Sequence, residues 1–413
     1  MVGAGPAGSV SAFLLAHAGL SVLLLDRARF PRDKPCGGGV TWRAAQVLPF
    51  SIEPVVEHVV DCVEFGLLYS RRFDKQSEAP LIYMTQRSKL DAFLVGKAVD
   101  AGAVFRDGVK VTNVKLEEEG AVVRGDGWTA TGRAVVGADG ANGTTAASLL
   151  GARPLPQYFI ALEGNVSHRA LDPDRYKDRV IIELGVVPGG YAWVFPKGDH
   201  VNFGVAGWPA EGVRLRAHLA RLLEHHGLEA RSLEAVRGYR LPFRRPGQSL
   251  ATGCGILVGD AAGVIDPLLG DGIFGAFVTA RLASEAVLGV VRGRQNVLRY
   301  PQDVLDHLGS LCAASWDWKF AFDRFPRLSY AIARTPPAWR VIIELLRGDL
   351  LDPDAVRGTR SIPLSVLSLL GNIAGAPGKP YRRELEGARR SNLQTNDVER
   401  PPLRTTESWL QTS

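Results

Sequence analysis

The sequence predicts an α/β protein that joins a nucleotide-binding unit to an antiparallel sheet and a C-terminal helical region. Three observations predict this architecture. A glycine-rich turn opens the chain and leads into an apolar helix pattern and a short strand. Residues 155 to 245 alternate as strands do, and from about Gly289 onward the apolar residues recur with helical spacing. With 413 residues, 46% of them hydrophobic, the chain is long enough for two or more packed domains.

The charge and the cysteines exclude several classes of function. The formal net charge of +6 is spread along the chain without a block of like charge, so nucleic-acid binding is not expected. Cys36, Cys62, Cys254 and Cys312 are far apart and form no C-x-x-C pair, which argues against a zinc site or a disulfide framework. We therefore expect no metal and a reducing, cytoplasmic environment.

The first apolar stretch, "SVSAFLLAHAGLSVLLLD", has the hydrophobicity of a secretion signal but not its flanks. No Lys or Arg precedes it and no small-residue cleavage site follows it. No window reaches the roughly eighteen uninterrupted apolar residues of a membrane span. The sequence predicts a cytoplasmic protein, leaves a peripheral membrane contact open, and does not indicate the oligomeric state.

The N-terminus has the spacing of a dinucleotide-binding turn. Gly3, Gly5 and Gly8 follow the order G-x-G-x-x-G, and the strand "SVLLLD" then ends at Asp26. In such a fold the first glycine allows a sharp turn, the second lets the backbone approach a pyrophosphate, and the third lets helix and strand pack closely. Asp26 lies 18 residues after Gly8. This is near the spacing of about 20 residues for a carboxylate that binds ribose hydroxyls.

Only Met1 and Val2 precede this turn, although the motif should close a strand of about 5–6 residues. That strand would be central in the sheet, and its absence would leave unpaired backbone groups on both neighbouring strands. We therefore expect that the natural chain starts earlier or that this one is truncated.

Two later segments predict further turns that face a sugar or a phosphate. "AVVGADGANGTT" (134–145) is a buried strand that runs into an Asp-Gly turn. In 253–287 a strand "ILVGD" leads through a glycine-rich loop to a helix that begins near Gly272. A strand that ends in Gly-Asp beside a helix N-terminus can set Asp260 against a ribityl or pyrophosphate group. Three such turns far apart in sequence predict one long cofactor in an extended conformation.

These segments resemble the FAD-dependent geranylgeranyl reductase family, within the para-hydroxybenzoate-hydroxylase-like flavoproteins. The resemblance covers residues 3 to 277, about two thirds of the chain. Two of its stretches, "FPRDKPCGG" and "YAWVFPK", are fairly specific to the reductase branch. The others are shared with hydroxylases and halogenases; they are "GAGPAGS", "QRSKLDAFL", "GADGANG" and "GDAAGVIDPLLGDGIFGAF".

The resemblance implies FAD as the cofactor and an FAD-binding Rossmann-like domain. The residues that it places against the cofactor are Gly3, Gly5, Ala7, Gly8, Asp26, Arg27, Cys36, Gly37, Arg87, Asp139, Asp260, Gly272 and Ile273. It implies catalytic or substrate-facing roles for Cys36, Tyr191 and Trp193. Cys36 is expected either to donate a proton or to pack on the flavin ring.

Three consecutive glycines, Gly37, Gly38 and Gly39, directly follow the thiol of Cys36. We expect these glycines to permit a positive φ and to remove side chains where the flavin ring would sit. The alternative is a mobile surface loop.

In "YAWVF" the side chains of Tyr191, Trp193 and Phe195 point to one face, because strand residues alternate. Aromatic residues in a strand usually form plain core. The resemblance favours instead an aromatic pocket over the flavin.

The implied function is the reduction of carbon–carbon double bonds in a prenyl or lipid substrate, with NAD(P)H or another reductant as electron donor. No second complete nucleotide fingerprint identifies that donor. Two alternatives stay open: an aromatic hydroxylase, monooxygenase or halogenase-like enzyme on the same fold, and a non-catalytic flavin-binding protein.

The predicted domains are discontinuous. The ranges are 1–60, 85–154 and 246–290 for the FAD-binding domain, 61–84 and 155–245 for the substrate-binding sheet, 291–377 for the helical region, and 378–413 for a disordered tail. The tail is predicted from its weak apolar periodicity.

Overall fold

The computed structural model describes residues 1–151, 157–292 and 297–394. Within them the chain forms a parallel sheet flanked by helices, a seven-stranded sheet, small antiparallel sheets and a group of C-terminal helices. The predicted α/β class with an antiparallel sheet and C-terminal helices is confirmed.

The helices are α1 (Pro6–His17), α2 (Trp42–Val47), α3 (Arg87–Asp100), α4 (Thr145–Leu150), α5 (Leu215–His225), α6 (Gly272–Val291), α7 (Tyr300–Arg324), α8 (Pro326–Ala333), α9 (Pro336–Arg347), α10 (Ser361–Ile373) and α11 (Gly378–Gln394).

The strands are β1 (Leu23–Leu25), β2 (Gly39–Thr41), β3 (His58–Val60), β4 (Cys62–Leu67), β5 (Arg71–Gln76), β6 (Ile82–Met84), β7 (Val104–Arg106), β8 (Val111–Glu117), β9 (Gly120–Gly125), β10 (Trp128–Gly132), β11 (Val135–Gly137), β12 (Gln157–Ser167), β13 (Arg179–Leu184), β14 (Tyr191–Pro196), β15 (His200–Gly207), β16 (Glu234–Phe243), β17 (Ala251–Thr252) and β18 (Gly255–Leu257).

The parallel sheet is built from β7 beside β1 and from β11 beside β18. The first residues of the chain lie between these two pairs. Val2 forms parallel bridges to Leu25 and Gly137, and its amide donates to the carbonyl of Val136 at 2.9 Å. The amide of Gly3 donates to Leu25 at 2.7 Å. Residues 1–3 thus pair with both neighbours in the place where the sequence suggested a gap.

Helix α6 is a buried helix in the core of the protein. It packs against α1 and α2, and most of its side chains are buried. Its length and mean hydropathy of 1.5 would suffice for a membrane span, but 78% of the apolar window is buried inside the protein. This helix is therefore a core helix. Its first residue, Gly272, lies next to Asp260, since a Cβ there would be 3.3 Å from the carboxylate Oδ1.

The seven-stranded sheet has the order β16-β12-β15-β14-β13-β4-β5. Strands β4 and β5 join it from a distant part of the sequence, since β4 pairs in parallel with β13. One face packs on α5 through a leucine cluster that includes Leu219 and Leu222. The predicted range 61–84 also contains β6, which pairs instead with β2 and β3 in a small antiparallel sheet.

The prediction of a disordered tail is wrong for residues 378–394, which form α11. Tyr381 and Leu385, one helical turn apart, are buried against α7. Arg382 pairs with Asp317 at 2.6 Å, and Arg244 donates to Glu384 at 2.9 Å. Tertiary contacts thus stabilise a helix whose own apolar pattern is too sparse to predict it. The rest of the predicted tail, 395–413, lies outside the described residues.

Truncating Tyr381 tests whether α11 belongs to the folded core. Tyr381→Ala should lower the free energy of unfolding by about 3–5 kcal/mol, the usual cost of removing a buried aromatic side chain. Denaturant unfolding measures this change, with Arg390→Ala on the exposed face of α11 as the matched control. Equal stability of the two variants would show that α11 does not pack as described.

Candidate active site

One extended cavity of about 710 Å³ connects the parallel sheet, the seven-stranded sheet and the C-terminal helices. Every predicted site residue except Gly8 lines it. The lining residues among the predicted set are Gly3, Gly5, Ala7, Asp26, Arg27, Cys36, Gly37, Arg87, Asp139, Tyr191, Trp193, Asp260, Gly272 and Ile273. The fold therefore brings together residues that lie up to 270 positions apart in the sequence (3 to 273).

The N-terminal turn has the backbone geometry that its glycines predict. Gly3 has a φ of +99°, and a Cβ there would overlap the backbone of Ala138. A Cβ on Gly8 would overlap the carbonyl of Gly3, so Gly8 lets α1 pack closely and has no direct place on the cavity wall. At Gly5 the added atom would have only Arg32 nearby, at 3.5 Å. This position is thus open for the approach of a ligand.

Asp26 connects the glycine turn to the end of β1. Its Oδ2 accepts from the amide of Ala4 and its Oδ1 from the amide of Ala28, both at 2.8 Å. Each carboxylate oxygen keeps a further lone pair, so the predicted ribose contact is compatible with these bonds. Arg27 lies beside Asp26 on the cavity wall and is exposed.

Two features of this region fit the pyrophosphate and the hydroxyls of FAD. Helix α1 begins at the turn without a side-chain cap, so its first amides are available to an anion. Asp139 binds the amide and hydroxyl of Thr145 through Oδ2, at 2.9 and 2.7 Å. Its Oδ1 is buried beside the cavity without a hydrogen-bond partner among the described residues. A hydroxyl of the cofactor would satisfy this oxygen.

Asp260 lies in a polar cluster that sequence reasoning missed. Lys34 contacts its Oδ2 at 3.0 Å, the hydroxyl of Tyr239 donates to the same oxygen at 2.9 Å, and the Lys34 ammonium lies 4.2 Å from the Tyr239 ring centre. Burial is the largest single influence and raises the pKa of Asp260, but Lys34, the Tyr239 hydroxyl and Arg87 together outweigh it, so the pKa is lowered. The signal for Lys34 was its place in "PRDKPCGG"; Tyr239 had none.

Arg87 lies on the cavity wall in a buried ion pair. Its guanidinium donates two bonds of 2.8 Å to Asp91, one turn later in α3. Arg32 reaches the same carboxylate at 3.0 Å. Burial opposes the charge of Arg87, but Asp91 raises its pKa, so the Arg87 guanidinium stays charged. The predicted cofactor contact of Arg87 stays a prediction.

The structural reason for the glycine run after Cys36 differs from the predicted one. Only Gly38 has a positive φ, of +68°. A Cβ on Gly37 would lie 2.7 Å from the ring of Phe195, and one on Gly38 would overlap Lys197. The glycines are therefore required where the loop meets the seven-stranded sheet, and the expectation of three positive φ angles is wrong.

Lys197 holds this loop in place. Its ammonium donates to the carbonyls of Thr85, at 2.7 Å, and of Gly37. Burial lowers the pKa of Lys197 to about 8, and the nearby Cys36 and Glu163 partly offset the effect. Lys197 ends the stretch "YAWVFPK", so the motif was visible in the sequence although this role was not.

Glu163 is a further residue that sequence reasoning missed. It lies on β12, is buried on the cavity wall, and accepts from the amide of Cys36 through Oε1 at 2.7 Å. Burial raises its pKa to about 7, although the Cys36 amide, Lys197 and Arg237 act in the opposite direction. A single acid in the apolar strand "QYFIALEGNVS" was the available signal. The site thus contains a carboxyl that can hold a proton at neutral pH.

The side chains of Tyr191, Trp193 and Phe195 form a row on one face of β14, as alternation predicts. Neighbouring ring centres are 5.9 and 6.5 Å apart, and all three rings line the cavity. The Trp193 indole donates to Asn202 at 2.8 Å and covers Gly204 on β15, where a Cβ would overlap the ring. These contacts fix the position of Trp193, the middle ring of the row.

The remainder of the cavity is lined by C-terminal helices. Helices α9 and α10 contribute aliphatic side chains, among them Val341, Leu345, Leu364 and Leu367. Helix α7 contributes aromatic rings and one ion pair, between Lys319 and Asp323. No cluster of His, Cys, Asp or Glu side chains suited to a metal ion occurs in the described ranges.

Comparisons with known proteins agree with this geometry. Residues 1–297 match the family model described as "FAD binding domain". The chain is 30% identical over 308 residues to digeranylgeranylglycerophospholipid reductase 2 of Methanopyrus kandleri, covering 69% of this chain and 75% of that one. It is 33% identical over 308 residues to menaquinone reductase of Mycolicibacterium smegmatis, with the same coverage.

Solved structures share the fold over nearly the whole chain. A geranylgeranyl bacteriochlorophyll reductase-like protein from Thermoplasma acidophilum has a TM-score of 0.68 at 21% identity, covering 94% of this chain and 98% of that one. A flavin-dependent brominase has a TM-score of 0.70 at 20% identity, with the same coverage. At such identities the likeness concerns the fold alone.

The glycine turn, the uncapped start of α1 and the open oxygen of Asp139 fit FAD, and the family match covers the part of the chain that contains them. This protein is an FAD-dependent oxidoreductase, and it belongs to the family of FAD-binding flavoproteins that includes the geranylgeranyl reductases.

Proposed function

We propose that the protein reduces carbon–carbon double bonds in the prenyl chain of a lipid or related substrate. The observation that carries the proposal is the continuity of one cavity from the cofactor-fitting turns, past the aromatic row, to the aliphatic wall of α9 and α10. A hydrocarbon chain bound along this wall would pass the loop that carries Cys36. The named reductases among the relatives support this substrate class.

The binding of such a chain rests on the burial of apolar surface. The aliphatic wall and the aromatic row remove a prenyl chain from water without requiring a polar partner along its length. The row is held by its own contacts with Asn202 and Gly204, so its shape is available before the substrate binds. A preformed wall reduces the entropy lost on binding.

Bound FAD in its reduced form would supply the hydride for one carbon of the double bond. The protein has to stabilise positive character at the other carbon, because an isolated alkene has no carbonyl to take up charge. The faces of Tyr191, Trp193 and Phe195 can do so through cation–π attraction, of the order of 2 kcal/mol in a desolvated site. The reaction is then completed by a proton at that carbon.

Glu163 is the group that we assign to hold this proton. It is buried beside the Cys36 loop, on the same cavity wall as the aromatic row. The raised pKa keeps the carboxyl protonated below about pH 7, so it can act as a general acid. The thiol of Cys36, which accepts from the amide of Gly38 at 3.3 Å, lies within the same loop and is the second candidate. The electron donor is proposed to be NAD(P)H or another reductant.

The proposed reaction is tested with dithionite-reduced protein incubated without oxygen with a panel of prenyl compounds. We expect mass spectrometry to find products heavier by two hydrogens, together with reoxidation of the flavin. The panel should include a prenyl diphosphate, a digeranylgeranyl ether lipid and a menaquinone. Failure to reduce any of them, combined with oxygen-dependent hydroxylation or halogenation of an aromatic compound, would favour the monooxygenase-like alternative and overturn the proposal.

Trp193→Ala should slow the reduction by about 10- to 30-fold while FAD stays bound, since about 2 kcal/mol of charge stabilisation is lost. The matched control is Phe203→Ala on β15, because Phe203 is equally buried but packs in the cluster on the α5 side of the sheet. Turnover is expressed per bound flavin, so that loss of folded protein does not count. The same turnover per flavin in both variants would contradict a role of Trp193 in the reaction.

The rate of reduction should fall as the pH rises through about 7, because Glu163 then loses its proton. Its pKa in the folded protein is raised, from 4.5 to about 7, so the acid form is fully present only at lower pH. Glu163→Gln should remove this falling limb and slow the reaction at pH 6 by roughly 10²- to 10⁴-fold.

The control for this pH profile is Glu183→Gln. Burial also raises the pKa of Glu183 to about 7, but this residue pairs with Arg72 at 3.0 Å on another part of the sheet. Its replacement should change the pH dependence of thermal melting and leave the pH dependence of turnover intact. A Glu163→Gln protein with the wild-type rate profile would exclude Glu163 as the proton source.

A further inference from the structure

Helix α10 exposes a stripe of four large apolar side chains. The exposed fractions are 60% for Ile362, 37% for Val366, 60% for Leu369 and 66% for Ile373. At 3.6 residues per turn these positions fall within about 60° around the helix axis. They therefore form one continuous ridge along the whole helix, which we call the α10 stripe.

The α10 stripe differs from the rest of the described surface. The described residues include twelve exposed large apolar side chains. Four of them form this stripe, and the other eight are spread along the sequence between Val59 and Leu351. Residues 361–373 contain no charged side chain. The solvent face of a surface helix normally carries charged residues, so this face is adapted to an apolar environment.

The opposite side of the same helix faces the interior. Leu364 and Leu367 are buried and line the cavity, and a Cβ on Gly371 would overlap the backbone of Asp317 in α7. One helix thus separates the hydrocarbon-lined cavity from the outside. Its outer and inner faces are both apolar.

Basic residues precede and follow α10 in the sequence. Between residues 326 and 390 the chain has eleven Lys and Arg against six Asp and Glu, an excess of five, whereas the whole chain has a net charge of +6. Arg357, before the start of α10, is exposed and donates to the backbone carbonyls of Asp354 and Val356, at 2.7 and 3.1 Å. Lys379 and Arg383, beyond its end, are also exposed. An apolar ridge on a helix with exposed cations before its start and beyond its end is complementary to a bilayer with anionic headgroups.

We infer that α10 docks the protein on a lipid bilayer, with the α10 stripe among the acyl chains and the basic residues at the level of the headgroups. The helix lies in the interface plane and does not cross the membrane. The docking is independent of the proposed reaction. Entry of a prenyl substrate from the bilayer past α10 is a further consequence that rests on the proposed function.

The test is cosedimentation of the FAD-loaded full-length protein with phosphatidylcholine vesicles, with and without phosphatidylglycerol. We expect binding that is stronger with phosphatidylglycerol and weaker at high salt. The double variant Leu369→Glu/Ile373→Glu should bind at least about tenfold more weakly, since two inserted side chains become charged. The matched control is Val213→Glu, because Val213 is 91% exposed but lies outside α10.

A second variant, Arg357→Glu/Lys379→Glu, leaves the stripe intact and should reduce only the phosphatidylglycerol-dependent part of the binding. Flavin content and thermal melting establish that each variant is folded. Absence of wild-type binding to both kinds of vesicle would overturn the inference, as would equal binding of the stripe variant and of Val213→Glu. Sedimentation velocity that shows a dimer which the stripe variant abolishes, without vesicle binding, would assign the stripe to a second copy of the chain.

Discussion

The buried ammonium of Lys197 ties the glycine loop to the seven-stranded sheet, and the geometry of the site depends on this tie. The backbone carbonyls of Gly37 and Thr85 accept hydrogen bonds from this ammonium. Gly38 leaves room for the ammonium because it has no side chain and adopts a positive φ. The loop in turn positions the Cys36 amide on Glu163. Loop, acid and aromatic row are thereby held as one unit, although they come from two different sheets.

The cofactor end of the cavity is rich in charges that already have partners. Lys34 pairs with Asp260, and Arg32 and Arg87 share Asp91. A pyrophosphate there would be bound by backbone amides at the start of α1, which carry no net charge and need no counterion. The site can therefore accept an anion without leaving a buried cation unpaired when the anion is absent.

Features set by near neighbours in the sequence were predictable. Two such features follow from spacing alone. One is the close approach of Gly8 to the carbonyl of Gly3, and the other is the position of Tyr191 and Trp193 on the same face of their strand. The bonds from Cys36 to Glu163 and from Lys34 to Asp260 join residues 127 and 226 positions apart, and no local pattern encodes such pairs. For the loop glycines the residue type was informative, but the atoms that require it belong to a distant strand. Helix α11 was missed for the same reason.

The aliphatic wall from α9 and α10 has a consequence for regiochemistry under the proposed function. Contacts from side chains such as Val341, Leu345 and Leu367 have no direction, so they hold a hydrocarbon without fixing how far it is inserted. A polyprenyl chain can then slide between several axial positions, each of which brings a different double bond to the Cys36 loop. Such a wall permits successive reductions during a single binding event, and the choice among double bonds is left to the contacts of the head group.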